Sequence, residues 1–340
     1  MKAVAYYQSY PVEHPQALLD IELPEPVPGP RDLLVEVRAI SVNPVDTKVR
    51  SNTQPEAGQP KVLGWDVAGV VVAVGDKTSL LKVGDEVFYA GSIARAGSNS
   101  ERHLVDERIV GRKPQSLGFA EAAALPLTAI TAWELLFERL QLVEGQGAGQ
   151  QLLIVGAAGG VGSIMLQLAR QLTNITVIAT ASRPETQAWV RELGAHHVID
   201  HRQPLQEELQ RIGFDSISHV ASLTQTDSHF DQLVEALAPQ GRLALIDDPA
   251  EPLDVMKLKR KSLSLHWELM FTRSLFETPD MIEQHHLLQR VSELVDQKVL
   301  RTTLGEHFGT INAANLRRAH ALLESGKARG KIVLEGFQAR

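Results

Sequence analysis

The chain has 340 residues, with 34 lysines and arginines against 41 aspartates and glutamates and a formal net charge of −7. At roughly 100–200 residues per domain this length predicts two domains, each able to bury its own core, and excludes a single small module. The complete lack of cysteine removes disulfides, thiolate nucleophiles and cysteine-ligated zinc or iron–sulfur centres, and mild acidity without a basic stripe leaves no footprint for nucleic acid or anionic lipid.

The opening segment Met1–Tyr7 lacks the apolar core and small-residue cleavage site of a secretory leader, and no apolar run reaches the ~20 residues that a bilayer demands. A soluble, cytoplasmic protein without a membrane partner is expected. Pro24, Pro26, Pro28, Gly29 and Pro30 form a rigid connector ahead of the alternating run Leu34–Ile40, and short strands are predicted at Val67–Val74 and within Val83–Phe88. Several short strands at this spacing predict an all-β unit, a distorted barrel. From Phe119 the pattern changes. Ala120–Ala124 and Ile130–Arg139 read as helices, and from Leu152 apolar strands alternate with amphipathic stretches as far as Leu243–Ile246, the pattern of a parallel sheet covered on both faces. After a last strand at Ser262–Glu268, helices are predicted near Pro279–Gln297 and at Asn312–Glu324, with Gly326 as C-cap, before a strand at Lys331–Leu334. The fold class is α/β, a doubly wound parallel sheet over residues 124–269 joined to a β domain formed by residues 1–123 and 270–340.

Gly156-Ala157-Ala158-Gly159-Gly160-Val161-Gly162 follows the strand Leu152–Val155 and opens the helix Ser163–Leu172. In that context glycines let the backbone turn tightly and approach a pyrophosphate, whose charge meets the free N–H groups and positive end of the helix. The alternative is a tight strand-to-helix turn without a ligand. About 20 residues further on, NAD-binding proteins place an acidic residue on the ribose 2′-hydroxyl. Here Thr180-Ala181-Ser182-Arg183-Pro184-Glu185 puts a hydroxyl and a guanidinium at the strand end instead, chemistry suited to a 2′-phosphate. NADPH is favoured over NADH, against the alternative that Arg183 is a solvated loop charge. Ser222 lies at the carboxyl edge of the predicted sheet, where ligands of open α/β folds bind. The adjacent pairs His196-His197 and His285-His286 lack ligand spacing and read as solvated or satisfied histidines.

Five segments carry a resemblance: Ala39–Asp46, Leu63–Val71, Val83–Val87, Ala124–Ala129 and Gly330–Leu334. Together with the glycine turn they resemble, in order and across nearly the whole chain, the medium-chain dehydrogenase/reductase superfamily in its zinc-free quinone oxidoreductase-like branch, nearest the subgroup labelled zinc-type alcohol dehydrogenase-like. The resemblance implies a GroES-like β domain for substrate, a Rossmann domain for the nicotinamide, and a cleft between them. Zinc-dependent members carry a cysteine near Asn43 and a histidine where this chain has Trp65, so the resemblance implies metal-free chemistry.

Without zinc to polarise a carbonyl, a conjugated acceptor is the easier substrate, because hydride at the β-carbon collects charge on a distant oxygen that hydrogen-bond donors can stabilise. Family position singles out Asn43, Asp46 and Lys48, in a loop, as catalytic candidates: Asn43 as an amide donor toward substrate or water, Lys48 as stabiliser of the enolate or proton relay. Turn chemistry for Asn43 and Asp46, and a solvated role for Lys48, are the alternatives. Trp65 and Phe271 are candidate pocket walls, or plain core. Thr128 aligns with a residue at the nicotinamide end, or caps its helix. The expected function is NADPH-dependent, zinc-independent reduction of a small-molecule quinone or of an enone C=C bond. The rival is a nicotinamide-binding protein without turnover, and a homodimer is the expected assembly.

Overall fold

The computed structural model describes residues 1–338 and divides the chain into two compact units, one of Met1–Ile130 with Phe271–Arg340, the other of Thr131–Met270. The first unit begins with β1 (Lys2–Tyr6), β2 (Leu19–Glu22) and the long β3 (Asp32–Val42), followed by helix α1 (Pro44–Asn52). It continues through β4 (Lys61–Val62), β5 (Val67–Val74), β6 (Glu86–Tyr89), β7 (Arg102–Asp106) and β8 (Val110–Arg112) to α2 (Phe119–Ala123) and α3 (Pro126–Trp133). The loop expected after Ile40 is thus a helix, which moves Asp46 and Lys48 from a loop onto α1. Its start has a physical signature: Pro44 sits at the first helical position, and the Asp46 carboxylate accepts the Asn43 backbone N–H at 2.7 Å, satisfying a donor that the helix cannot.

The α3 helix runs directly into a π-helical stretch, Glu134–Arg139, where the sequence pattern predicts an uninterrupted α-helix. The Leu140 N–H reaches back to the Leu135 carbonyl at 2.8 Å, the wider spacing of a π turn. Phe119–Arg139 is apolar and long enough to cross a membrane by length and composition alone, a run that the sequence reading had not recognised; 78% of its apolar window is buried inside the protein, as in a core helix.

The second unit alternates strictly: β9 (Gln151–Val155), α4 (Gly160–Leu172), β10 (Thr176–Thr180), α5 (Pro184–Glu192), β11 (His197–Ile199), α6 (Leu205–Arg211), β12 (Ile217–Ser222), α7 (Thr226–Ala236), β13 (Leu237–Leu245) and β14 (Ser264–Trp267). Its sheet has the order β11-β10-β9-β12-β13-β14, with every pairing parallel. This is the doubly wound arrangement that the alternation predicts, reversing direction between β9 and β12. The inner strands are buried from end to end, as Leu153, Ile178, Val220 and Leu243 show, because helices cover both faces.

The chain then returns to the first unit with α8 (Thr272–Phe276), α9 (Glu283–Asp296), β15 (Leu304–His307), α10 (Ala313–Glu324) and β16 (Lys331–Glu335). Here β16 pairs antiparallel with β3, bringing Ile332 opposite Val42. The resulting sheet runs β15-β16-β3-β5-β6-β8, with β7 also on β3, beside a smaller sheet β2-β1-β4. Asn312 caps α10 by accepting the Asn315 N–H at 2.8 Å, and Gly326 takes a φ of +67° just past its end, the left-handed stop expected there.

Candidate functional site

In the second unit, β9 delivers the chain into the glycine turn at its carboxyl end. Gly156 has φ of +79°, and its N–H donates to the Thr180 hydroxyl at 3.1 Å, locking the turn to the neighbouring strand. Gly162 packs against Ala157: a Cβ there would lie 2.5 Å from the Ala157 backbone, so no larger residue fits. Gly159 differs. Its φ is −74°, and an added Cβ would meet nothing nearer than the Gly156 carbonyl at 3.4 Å. The folded chain therefore gives Gly159 no steric reason to be glycine. The space it leaves lies at the start of the 13-residue α4, where the first N–H groups have no partner within the helix.

At the end of β10, Arg183 is the N-cap of α5, and its Nε pairs with Glu185 at 3.2 Å. Ser182 is joined by a residue that the sequence reading missed: Arg202 donates from Nη2 to the Ser182 carbonyl at 3.1 Å while held by Asp200. Two arginines, Arg183 and Arg202, thus lie at the carboxyl end of β10. The signal lay in Asp200-His201-Arg202, directly after the third strand. Ser222 is fully buried and shares a 2.8 Å hydrogen bond with Thr226, which in turn engages Asp247, so its hydroxyl ties β12 to α7. Of the histidine pairs, His196 accepts the Val177 N–H at 2.9 Å and His285 bonds the Val110 carbonyl at 2.6 Å.

In the first unit the candidates converge on a sealed polar cluster. The Asn43 side chain is fully buried. Its amide nitrogen donates to Asp66 at 2.8 Å and to the Trp65 carbonyl at 3.3 Å, and its oxygen accepts from Lys331. Both ends of the Asn43 amide are thus engaged inside the protein. Asp66 accepts Lys331 Nζ at 2.8 Å on one oxygen and the Leu127 N–H at 2.8 Å on the other. Neither acid nor lysine was singled out as a pair from sequence, since they are 265 residues apart. Burial raises the Asp66 carboxyl, against the pull of Lys331, the Leu127 amide and Asn43. Burial likewise pushes Asp46 up to about 7; the Asn43 amide and Lys331 pull it down, and Asp66 adds to the rise.

Trp65 donates its indole N–H to the Ser92 carbonyl at 3.2 Å and meets Phe271 edge to face at 6.3 Å. Both rings are buried, which makes them a packed aromatic pair. Thr128 is buried too, donating to the Leu125 carbonyl at 3.1 Å. Lys48 alone among the catalytic candidates is exposed. It rides on a helix fixed at both ends: Asn43 and Asp46 hold the start, and at the other end buried Arg50 bonds the Tyr10 carbonyl, His320 and Glu324.

A zinc ion does not fit this cluster. Asn43 presents an amide and Trp65 an indole, both oxygens of Asp66 are occupied, and the second carboxylate, Asp46, is held by the Asn43 backbone N–H. The Lys331 ammonium, 2.8 Å from Asp66, already supplies that carboxylate with a positive charge. Among the described residues no group of three or more histidines or acids has metal-binding geometry.

Two outcomes follow from the geometry. Gly159→Ala should leave thermal stability within experimental error while sharply weakening dinucleotide binding, whereas Gly162→Ala should lower the melting temperature itself; equal destabilisation by both would mean that the turn is built for folding alone. For Asp46, a carboxyl raised from 3.8 to about 7 keeps its proton when folded and loses it when unfolded. Wild-type stability relative to Asp46→Asn should therefore fall as pH rises from about 4 to about 7, by up to about 4 kcal/mol, and stay level above. Urea melts across that range check this; parallel curves would show that Asp46 is ionised throughout.

Comparison with known proteins agrees with this architecture. Residues 29–133 match the alcohol dehydrogenase GroES-like domain, and residues 193–334 match the zinc-binding dehydrogenase family. A zinc-type alcohol dehydrogenase-like protein of Staphylococcus aureus is 37% identical over 336 residues, covering 98% of this chain and 99% of its own. A quinone oxidoreductase of Pseudomonas aeruginosa is 31% identical over 313 residues, covering 90% and 92%. The crystal structure of a candidate zinc-dependent alcohol dehydrogenase from Rhizobium etli superposes with a TM-score of 0.96 at 59% identity, covering 100% of this chain and 99% of that one. The chain belongs to the medium-chain dehydrogenase/reductase superfamily, in its quinone oxidoreductase-like branch, and is an oxidoreductase built of a GroES-like domain and a Rossmann domain.

Proposed function

We propose that the protein is an NADPH-dependent, zinc-independent reductase of quinones or of the C=C bond of α,β-unsaturated carbonyls. The observation that carries this reading is the Asn43–Asp66–Lys331 cluster, in which an ammonium faces the buried Asp66, in a chain that also carries the glycine turn Gly156–Gly162. When bound, the nicotinamide supplies hydride. The protein's own share is to hold the dinucleotide, through the space at Gly159 and the amides that open α4, and to meet negative charge that develops on the acceptor oxygen. Lys48, exposed on a rigidly held helix, is the residue proposed to stabilise that charge or relay a proton to it. Asn43 and Asp46 act on the reaction only by fixing the start of α1. A conjugated acceptor suits such a site, because its charge spreads over an enolate or quinol that one or two donors can stabilise.

NADPH is favoured over NADH by Arg183 and Arg202 around Ser182, with no free carboxylate to receive a 2′-hydroxyl: Glu185 and Asp200 are each paired with one of those arginines. The Pseudomonas quinone oxidoreductase supports the acceptor class. A cytoplasmic homodimer remains part of the proposal, supported by β14 as an edge strand with Trp267 52% and Leu269 53% exposed, a surface that a second copy would cover.

The test is NADPH and NADH consumption with a small enone, a quinone and a saturated aldehyde, with product identification. Conjugated acceptors should be reduced with NADPH, and Lys48→Ala should slow turnover at least tenfold without changing NADPH affinity. Arg183→Ala should weaken NADPH about tenfold, the loss of one charge-assisted phosphate contact, and leave NADH unchanged. A best rate with the saturated aldehyde, or binding without turnover of any acceptor, would overturn the reading.

A further inference from the structure

The reaction proposed above makes no use of Asp247, two residues past the end of β13, yet this carboxylate holds a segment that packs on the glycine turn. The sheet of the second unit changes direction between β9 and β12. The segments leaving the carboxyl ends of these two strands therefore stand side by side, at the crevice where open α/β sheets take their ligands. One is the glycine turn after Val155. The other, Leu223–Gln225, joins β12 to α7 and is built against the first at two points. The Leu223 N–H donates to the Val155 carbonyl at 3.2 Å, and the Thr224 methyl lies so close over Gly156 that a Cβ there would sit 2.8 Å from it.

This segment needs holding, because Gln225 takes φ of +53° and ψ of +37°, a left-handed conformation that is costly for a residue with a side chain. Asp247 supplies the hold. One carboxylate oxygen accepts the Thr226 N–H at 2.9 Å and the other accepts the Thr226 hydroxyl at 2.5 Å. Since the Thr226 hydroxyl proton is committed to the acid, Ser222 is the donor in the 2.8 Å bond between the two hydroxyls, and the chain of donors runs one way, from Ser222 through Thr226 to Asp247. Ser222 and Thr226 are both fully buried and stand on either side of Leu223–Gln225. Both ends of the segment are thereby fixed to one carboxylate.

We propose that Asp247 is a positioning residue for dinucleotide binding, which keeps Thr224 against Gly156 and so holds the glycine turn in its binding shape before a ligand arrives. The proposal rests on the reductase reading, in which that turn receives the pyrophosphate. Every residue in this chain of contacts lies in the second unit. An acid that served only to cap α7 would stabilise the fold through Thr226 and would be indifferent to the side chain at 224.

The test is a double-mutant cycle on NADPH and NADH affinity, measured by direct binding to the full-length protein, with kcat and amide hydrogen exchange of the unliganded protein in parallel. Asp247→Ala should weaken both dinucleotides by the same factor, about tenfold, because the pyrophosphate is common to them. It should also speed exchange of the Gly156 amide, which the bond to Thr180 protects. Asp247→Asn still accepts the Thr226 N–H and can donate to its hydroxyl, so affinity should stay within about threefold of wild type. In a Thr224→Ser background, where the methyl over Gly156 is gone, Asp247→Ala should cost less than about twofold. Losses that simply multiply, or unchanged affinity in folded Asp247→Ala, would overturn the proposal. Should Asp247→Ala fail to fold, Thr226→Val runs the same cycle under the same criterion. A wild type that binds NADPH yet reduces no acceptor would defeat the reductase reading while the cycle still reports on Asp247, and one that binds neither dinucleotide would overturn both.

Discussion

One contact holds the first unit's chemistry together: the buried pair of Asp66 and Lys331. It joins the beginning of β16 to the residues ahead of β5, and through Asn43 and Leu127 it reaches the starts of two helices, α1 and α3. Burying both charges is costly, and only a full set of hydrogen bonds offsets that cost. The cluster has that set for Asp66, Asn43 and Lys331. Asp46 is the exception, with one oxygen lacking a well-formed partner, and burial, with Asp66 nearby, pushes its carboxyl up to about 7.

The same contact decides what kind of chemistry the unit can host. A catalytic metal needs deprotonated ligands turned toward an open position, whereas here Asp66 faces an ammonium, Asp46 is held by the Asn43 backbone N–H, and the neighbouring positions carry an amide and an indole. Trp65, packed against Phe271, fills volume that a smaller ligand side chain would leave. In the second unit the division of labour among glycines follows equally simple sterics. Gly156 and Gly162 are glycine because the turn and the close approach of α4 to Ala157 demand it, whereas nothing in the folded chain demands glycine at 159.

Much of this was legible in the sequence. Strict alternation of apolar strands and amphipathic helices after Leu152 is enough for a parallel sheet covered on both faces, while its strand order comes from the structure. The glycine turn stood between a strand and a helix, as its function requires. Helix α1 was also legible and was misread: Asn43-Pro44-Val45-Asp46 carries a cap, a proline at the first helical position and an acid at the third, yet the same residues describe a turn. Arg202 and the Asp66–Lys331 pair were not visible, because their meaning depends on partners brought together by strand pairing rather than by spacing along the chain. The π-helical stretch before Leu140 was equally hidden, as its apolar pattern is that of an ordinary helix.

The central claim is that the Lys331 ammonium, and no metal ion, is the counter-charge of the buried Asp66, and it is tested most directly by metal analysis of the purified protein alongside a zinc titration. The account predicts no stoichiometric zinc, no saturable zinc site at Asp66, and reductase turnover that survives exhaustive chelation. One tightly held equivalent of zinc, whose removal abolishes turnover and whose return restores it, would contradict it.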